Sequence, residues 1–133
     1  MNLHRRKAIT SVDKTPKYSI CICNWNMGDT IEASIRSIAR QVNSDFEIII
    51  VDDGSTDDSV EILQKWCSRI PMTIKLLPHS GSPAGPRNYG IETATSDYVF
   101  FLDADDVLLP GGLSAAVSYA ITNESDVVLV KLK

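Results

Sequence analysis

Short apolar runs alternate with helix-forming segments along most of the chain, and this alternation limits the possible folds more than any other feature. Five runs rich in β-branched and aromatic residues predict strands at 18–23, 46–51, 73–77, 98–102 and 126–132. Helices are predicted between them at 29–41, 60–70, 87–95 and 113–121. Strand and helix in alternation build a parallel sheet with helices on both faces. We therefore predict an α/β fold, a three-layer α/β/α sandwich with a mainly parallel sheet of about five strands.

Two of the predicted helices carry local start signals. Asp29, followed three residues later by Glu32, forms the pattern of a capping box. Pro86 precedes the third helical segment and is a favoured first-turn residue. The first helix is therefore expected to begin with Asp29 as its N-cap and to run to about Gln41.

Composition and charge exclude several classes of protein. The 133 residues suffice for one domain, expected over 18–133, preceded by a flexible basic arm over 1–17. The formal net charge of -4 argues against a nucleic-acid partner, which requires a basic face. No apolar run approaches the roughly 20 residues of a membrane span, and the N-terminus lacks the apolar core of a secretory signal.

Three cysteines without a disulfide framework indicate a reducing compartment. We therefore expect a cytoplasmic protein. If the basic arm is a surface-anchoring patch, the expected place is the inner face of the membrane.

The loops that follow the strands are the places to look for chemistry, because ligands of open parallel sheets bind beyond the carboxyl ends of the strands. After the fourth strand, the sequence "DADD" places Asp103 and Asp105 two residues apart in a turn. Two carboxylates about 4 Å apart repel by about 4 kcal/mol at an effective dielectric constant of 20. Such hard oxygen ligands suit Mn²⁺ or Mg²⁺, with a ligand diphosphate supplying further oxygens. A solvated turn is the alternative.

Three other loops at the same edge carry groups suited to a nucleotide. Asp52 and Asp53 precede a glycine turn, where an acid can accept hydrogen bonds from a ribose or a base. Arg87 and Asn88 open a helix, an arrangement that favours an anion or a polar base edge. Trp25 follows the first strand, where its ring can stack on a base. Each signal alone also fits an ordinary turn, cap or core residue, but all lie at one edge.

Four stretches together resemble family 2 glycosyltransferases with the glycosyltransferase-A fold. They are "YSICICNWN", "FEIIIVDDGSTDDS", "GPRNYGI" and "DYVFFLDADD". The resemblance implies inverting transfer of a sugar from a nucleotide-sugar, often a UDP-sugar, with Mn²⁺ or Mg²⁺ as cofactor. The pattern "SGSPAGPRN" is similar to enzymes that glycosylate the polyol-phosphate chains of wall teichoic acid. The acceptor implied is therefore a polysaccharide, a polyol-phosphate polymer or a lipid-linked glycan.

The resemblance also implies roles for individual residues. Asp53 would hold the uracil edge with Asp52 supporting the turn, Arg87 would contact the base or diphosphate, and Asp103 the ribose or the metal hydration shell. Asp105 would be the direct metal ligand. The implied nucleotide-binding set is Cys23, Trp25, Asn26, Asp52, Asp53, Arg87, Asn88 and Asp103, and the implied metal ligands are Asp105 and Asp103.

Trp25 stands where the family usually has tyrosine, and Cys23 where it usually has proline. Both are departures within the implied base-binding region.

The implied catalytic base has no counterpart before Lys133, so the chain is expected to be the donor-binding half of a longer glycosyltransferase. We expect it to bind a nucleotide with metal but to transfer little sugar alone. A non-catalytic nucleotide-sugar-binding fragment is one alternative. A phosphatase of the haloacid dehalogenase class, with Asp103 as nucleophile, is another, because "FFLDADDV" resembles its nucleophile loop.

Overall fold

The computed structural model of the chain describes residues 18–41 and 45–130, which form alternating strands and helices. The strands are β1 (Tyr18–Asn24), β2 (Phe46–Asp52), β3 (Thr73–Leu76) and β4 (Val99–Asp103). The helices are α1 (Gly28–Ala39), α2 (Ser59–Cys67), α3 (Ala84–Thr93) and α4 (Gly112–Thr122). The predicted order of elements is therefore confirmed from β1 to α4.

The sheet of the described residues is parallel throughout, with the strand order β3-β2-β1-β4. The chain builds outward from β1 to β3 and then returns to place β4 on the other side of β1. In the register, Asn24 is the partner of Asp52, and Cys23 that of Asp103. The polar residues that end three strands thus lie side by side at one edge.

Helices cover both faces of the sheet, so the three-layer α/β/α sandwich is confirmed. The larger core packs the even-numbered isoleucines of β1 and β2 against α1, α2 and α4. Its contacts include the fully buried side chains of Ile35, Leu63 and Leu113. The other face is smaller, with Cys21, Ile49 and Val51 packed under α3. Because β1 and β2 are buried on both faces, they read as nearly continuous apolar runs.

Helix α3 lies unusually close to β1 at Gly90. A Cβ added there would lie 2.1 Å from Sγ of Cys21. Only a glycine allows this approach, and it brings the start of α3, with Arg87, to the carboxyl edge of the sheet.

Two predictions about these elements are wrong, and α3 begins at Ala84, three residues before its predicted start at 87. The capping box does not form, because α1 begins at Gly28 with Met27 as its N-cap, and Asp29 lies in the first turn. A carboxylate from another loop replaces it: Asp57 Oδ2 accepts a hydrogen bond from the Gly28 N–H at 2.8 Å. The described part of the predicted fifth strand, 126–130, is not in a strand, and the side chain of Leu129 is exposed there.

The basic arm predicted over 1–17 lies outside the described residues, as do 42–44 and 131–133. Within the ranges that are described, no helix has the length and apolarity that crossing a membrane requires.

Candidate functional site

The carboxyl ends of β1, β2 and β4 open onto a cavity of about 530 Å³. It lies where the order of strands reverses around β1, which is the usual ligand crevice of a parallel sheet. All four loops that the sequence singled out contribute to it. The lining residues are Cys23, Asn24, Trp25, Met27, Asp53, His79, Gly81, Ser82, Pro83, Pro86, Arg87, Asp103, Ala104 and Asp105.

Asp53 is held in place by the loop that follows β3. Ser80 donates to it twice, from its main-chain N–H to Oδ1 at 3.0 Å and from Oγ to Oδ2 at 3.1 Å. Burial alone would raise the pKa of Asp53, but the hydrogen bonds from Ser80 and the charge of His79 outweigh burial and hold that pKa below its usual range. Asp53 is therefore a carboxylate at neutral pH, and it accepts rather than donates hydrogen bonds.

The indole of Trp25 stacks on the imidazole of His79 beside Asp53. The ring centroids lie 4.5 Å apart and the planes differ by 16°. Both side chains are about half exposed. Trp25 therefore presents a flat aromatic surface in the cavity, as expected, while His79 is a site residue that sequence reasoning missed.

A buried polar network joins the ends of β1 and β2. Asn24 donates from Nδ2 to Asp52 Oδ1 at 2.7 Å, and its side chain also contacts the hydroxyls of Ser55 and Ser59. Asp52 in turn accepts a hydrogen bond from the main-chain N–H of Ser55 at 2.9 Å. Asp52 thus supports the turn after β2, as the family resemblance implied.

Asn24 was not among the predicted site residues, although an amide at the end of an apolar strand needs a buried partner. Its side chain is only 1% exposed, and its Oδ1 has no hydrogen-bond partner in the part of the chain that the structure describes. An unpaired buried acceptor is unfavourable, and a water or a ligand donor would relieve it.

The loops after β1 and β2 are bound to each other on both sides. Asn26 accepts from the main-chain N–H groups of Thr56 at 2.7 Å and Asp57 at 3.3 Å. In the opposite direction, the Asn26 N–H donates to Ser55 Oγ at 2.9 Å, and Gly28 donates to Asp57 as described above. These bonds hold the loop that carries Trp25 against the loop that carries Asp53.

Three carboxylates cluster after β4. One oxygen of each of Asp103, Asp105 and Asp106 lies within 4.8 Å of the others. Burial, together with the charges of Asp105 and Asp103, raises the pKa of Asp106. Three hard oxygen donors that repel one another fit a divalent cation such as Mn²⁺ or Mg²⁺. Asp106 was not assigned to the metal from the sequence.

Arg87 connects this acidic cluster to α3. Its Nη2 lies 3.4 Å from Oδ1 of Asp103, and both side chains are largely exposed. A pair of this kind is weak, so the guanidinium can turn to an anionic ligand in the same cavity.

Cys23 lines the cavity beside its neighbour on the same face of β1, Cys21. Both thiols are free. The hydrogen bond with Cys21 and the charge of Arg87 lower the pKa of Cys23, against the opposing effects of burial and nearby carboxylates. The same thiol pairing, with burial, raises the pKa of Cys21.

The structure brings most of the predicted site residues together, with three at a distance from the ligand space. Cys23, Trp25, Asp53, Arg87, Asp103 and Asp105 line the cavity. Asn26 and Asp52 do not line the cavity, and they form the hydrogen bonds between and within the loops that were just described. Asn88 is exposed on α3 and does not line the cavity.

The fold and the site define an α/β sandwich with an acidic cluster at the ligand edge of its parallel sheet. Residues 19–133 match the family model of glycosyl transferase family 2. The chain therefore belongs to glycosyl transferase family 2.

The proteins similar in sequence include two poly(ribitol-phosphate) transferases. The chain is 32% identical over 120 residues to the poly(ribitol-phosphate) beta-N-acetylglucosaminyltransferase TarS of Staphylococcus aureus strain MW2, covering 88% of the chain and 21% of TarS. It is 36% identical over 121 residues to the poly(ribitol-phosphate) beta-glucosyltransferase of Bacillus spizizenii, covering 88% of the chain and 19% of that protein. The chain thus spans about a fifth of the length of these relatives.

Solved structures agree on the fold. The crystal structure of S. aureus TarS 1-349 in complex with UDP-GlcNAc has a TM-score of 0.81 and 32% identity, over 88% of this chain and 34% of that one. The mannosyltransferase PcManGT of Pyrobaculum calidifontis, in complex with GDP-Man and Mn²⁺, has a TM-score of 0.74 at 22% identity, over 87% of this chain and 36% of that one. The glycosyltransferase-A fold predicted from the sequence is confirmed.

Proposed function

We propose that the chain is the donor-binding domain of an inverting glycosyltransferase that uses a UDP-sugar and a divalent cation. The sugar would pass to an acceptor hydroxyl in cell-wall or surface polysaccharide synthesis, with a polyol-phosphate polymer as the favoured acceptor. One observation carries the proposal: an aromatic ring, a buried carboxylate, a guanidinium and two carboxylates of the acidic cluster line a single cavity at the switch point of the sheet. The TarS complex with UDP-GlcNAc and the names of the poly(ribitol-phosphate) relatives support the choice of donor and acceptor.

The base would bind between Trp25 and Asp53. Stacking on Trp25 accepts any base, since every base has a flat π surface. Asp53 is more selective, because an ionised carboxylate needs an N–H donor on the base edge. Uracil offers N3–H and guanine offers N1–H in the middle of this edge. Cytosine offers its exocyclic N4–H₂ group, but the neighbouring N3 is an acceptor that the carboxylate would repel. We therefore expect UDP-sugars or GDP-sugars to bind more tightly than CDP-sugars.

The diphosphate would lie between Arg87 and the acidic cluster. Asp105 and Asp103 are the proposed metal ligands, and Asp106 is close enough to join them. A cation bound there would offset negative charge on the leaving diphosphate. Arg87 would leave Asp103 and donate to phosphate oxygens, which offer the guanidinium a stronger, charge-assisted contact.

Transfer would be a single displacement at the anomeric carbon. The acceptor oxygen forms the new glycosidic bond as the bond to the diphosphate breaks, and a general base removes the acceptor proton. The chain spans about a fifth of the length of its poly(ribitol-phosphate) relatives, so we expect the chain alone to transfer sugar slowly. Turnover of a UDP-sugar by the purified chain at the rate of complete enzymes would contradict this. Action in the cytoplasm is part of the same proposal.

Calorimetric titration tests the proposal directly. UDP-, GDP- and CDP-sugars are titrated into the chain, each with and without Mn²⁺. We expect a UDP-sugar to bind more tightly with Mn²⁺ than without it, and a CDP-sugar to bind more weakly than a UDP-sugar. If neither UDP-sugar nor GDP-sugar binds under any condition, the proposed function is wrong.

The metal assignment has its own test in Asp105→Asn. This substitution should remove the gain in UDP affinity that Mn²⁺ provides, while leaving the thermal transition in place. Asp126→Asn is the matched control, since Asp126 is exposed and distant from the cavity, and it should behave as the wild type. UDP affinity that is unaffected by Asp105→Asn or by a chelator would exclude this metal site.

The phosphatase alternative is not retained, because the chain belongs to a glycosyltransferase family.

A further inference from the structure

His79 already occupies the place that the proposed function assigns to the nucleobase, between Trp25 and Asp53. Its ring stacks on Trp25, with centroids 4.5 Å apart. Its Nδ1 lies 3.0 Å from Oδ2 of Asp53 and 2.9 Å from the main-chain oxygen of the same residue. Both of these oxygens are acceptors, so Nδ1 must carry the hydrogen, which it donates to the main-chain oxygen while lying against the carboxylate. A flat ring that stacks on Trp25 and donates an N–H to Asp53 is chemically a stand-in for a base.

The Asp53 carboxylate is already surrounded by donors while His79 is in place. Its two oxygens offer about four acceptor positions. The main-chain N–H and hydroxyl of Ser80, the main-chain N–H of Gly81 and the ring of His79 all donate to it or face it. A base N–H directed at Oδ2 must therefore compete with the ring of His79, which lies 3.0 Å from that oxygen.

The space between the rings of Trp25 and His79 is also closed to a nucleobase. Two nearly parallel rings with centroids 4.5 Å apart are in van der Waals contact, and a third ring cannot enter between them. A base that stacks on this face of Trp25 must take the place of the imidazole.

The backbone of His79 is fixed by packing, whereas its side chain is free to rotate. A Cβ added at Gly54 would lie 2.7 Å from the main-chain nitrogen of His79, so the backbone here is packed tightly against the turn after β2. The imidazole itself is less restrained, because 43% of the side chain is exposed. Rotation about the side-chain bonds would release both Asp53 and Trp25 without any movement of the loop.

We propose that His79 is an internal competitor for the nucleobase, and that nucleotide binding requires its ring to leave Trp25 and Asp53. This inference rests on the proposed function, since it assumes that a base binds at these two residues. It adds a cost to binding, which a base recovers to the extent that it stacks on Trp25 and donates an N–H to Asp53 as His79 does.

Removal of the ring should therefore tighten binding, the opposite of what removal of a ligand contact does. If the competing arrangement is populated about nine times in ten, His79→Ala should lower the dissociation constant of UDP with Mg²⁺ by about tenfold. His79→Phe keeps a ring that stacks but loses the N–H, so its affinity should lie between those of the wild type and His79→Ala. Calorimetry measures all three, and thermal melts verify that each variant is folded.

A spectroscopic signature separates displacement from a general effect on stability. In the wild type, proton NMR should show a nuclear Overhauser effect between the rings of Trp25 and His79 that disappears when UDP and Mg²⁺ are added. If the wild type binds UDP but His79→Ala binds equally or more weakly, or if the Overhauser effect persists at saturation, the inference is overturned and the proposed function stands. If no protein of the series binds a UDP- or GDP-sugar, both fail together.

Discussion

Gly90 offers the most direct test of how the fold positions the site. An alanine Cβ at this position would lie 2.1 Å from Sγ and 3.3 Å from Cβ of Cys21, whereas ordinary contacts are about 3.5–4.0 Å. In an exposed helix the change from glycine to alanine would stabilise by about 1 kcal/mol. Overpacking against a buried strand costs about 1–3 kcal/mol, and the severity of this overlap favours the upper end. We expect a net loss of about 2 kcal/mol, or a drop in Tm of about 6–10 °C.

Urea unfolding followed by circular dichroism measures this loss, and the same helix supplies a matched control. An added Cβ at Gly85 would meet only Ser80 Oγ at 3.8 Å, an ordinary contact, so Gly85→Ala should be neutral or slightly stabilising. Combining Gly90→Ala with Cys21→Ala should cost less than the sum of the two single changes, because the overlapping sulfur is gone. Arg87 lies one turn before Gly90, so Gly90→Ala should also weaken UDP binding. Equal effects of Gly90→Ala and Gly85→Ala would refute the close approach of α3 to β1.

Two further outcomes concern ionisation and reactivity. Burial would raise the pKa of Glu47, but hydrogen bonds from Ser19 and Thr95 outweigh it and lower that pKa. Glu47 therefore stabilises the fold above its unfolded pKa of about 4.3, and this contribution is lost as pH falls through the lower folded value. Glu47→Gln should lose less stability than the wild type between pH 6 and pH 3 in urea titrations, and an equal loss would contradict this. Cys23 should be protected from iodoacetamide by UDP with Mg²⁺, as mass spectrometry of timed reactions can show; unchanged labelling, or equal protection of the exposed Cys67, would place the ligand elsewhere.

The strands and the ligand edge could be predicted from the sequence because both depend on local patterns. β1 and β2 are buried on both faces, and their apolar runs ended within one residue of the observed strands. Asp53 and Asp105 could be placed because acids in the loops after apolar strands must lie at the carboxyl edge of a parallel sheet. The segment 126–130 shows the limit of the same logic, since an apolar run without a pairing partner in the described residues forms no strand there.

The features that the sequence could not predict depend on contacts between distant loops. Gly28 begins α1 because Asp57 accepts from its N–H across 29 positions, and no local pattern announces such a cap. His79 looked like part of a plain Pro/Gly-rich loop until the fold placed its ring against Trp25. Asn24 was overlooked because its partner, Asp52, lies on a neighbouring strand.

The mutual hydrogen bonds between the loops after β1 and β2 have a consequence for how the protein opens. Neither loop can detach while the other stays native, so amide exchange from Asn26 and Thr56 should proceed as one event with a shared rate. The position of the Trp25 ring therefore depends on a turn thirty residues further along the chain. A substitution that destabilises that turn should first reduce the affinity for the base.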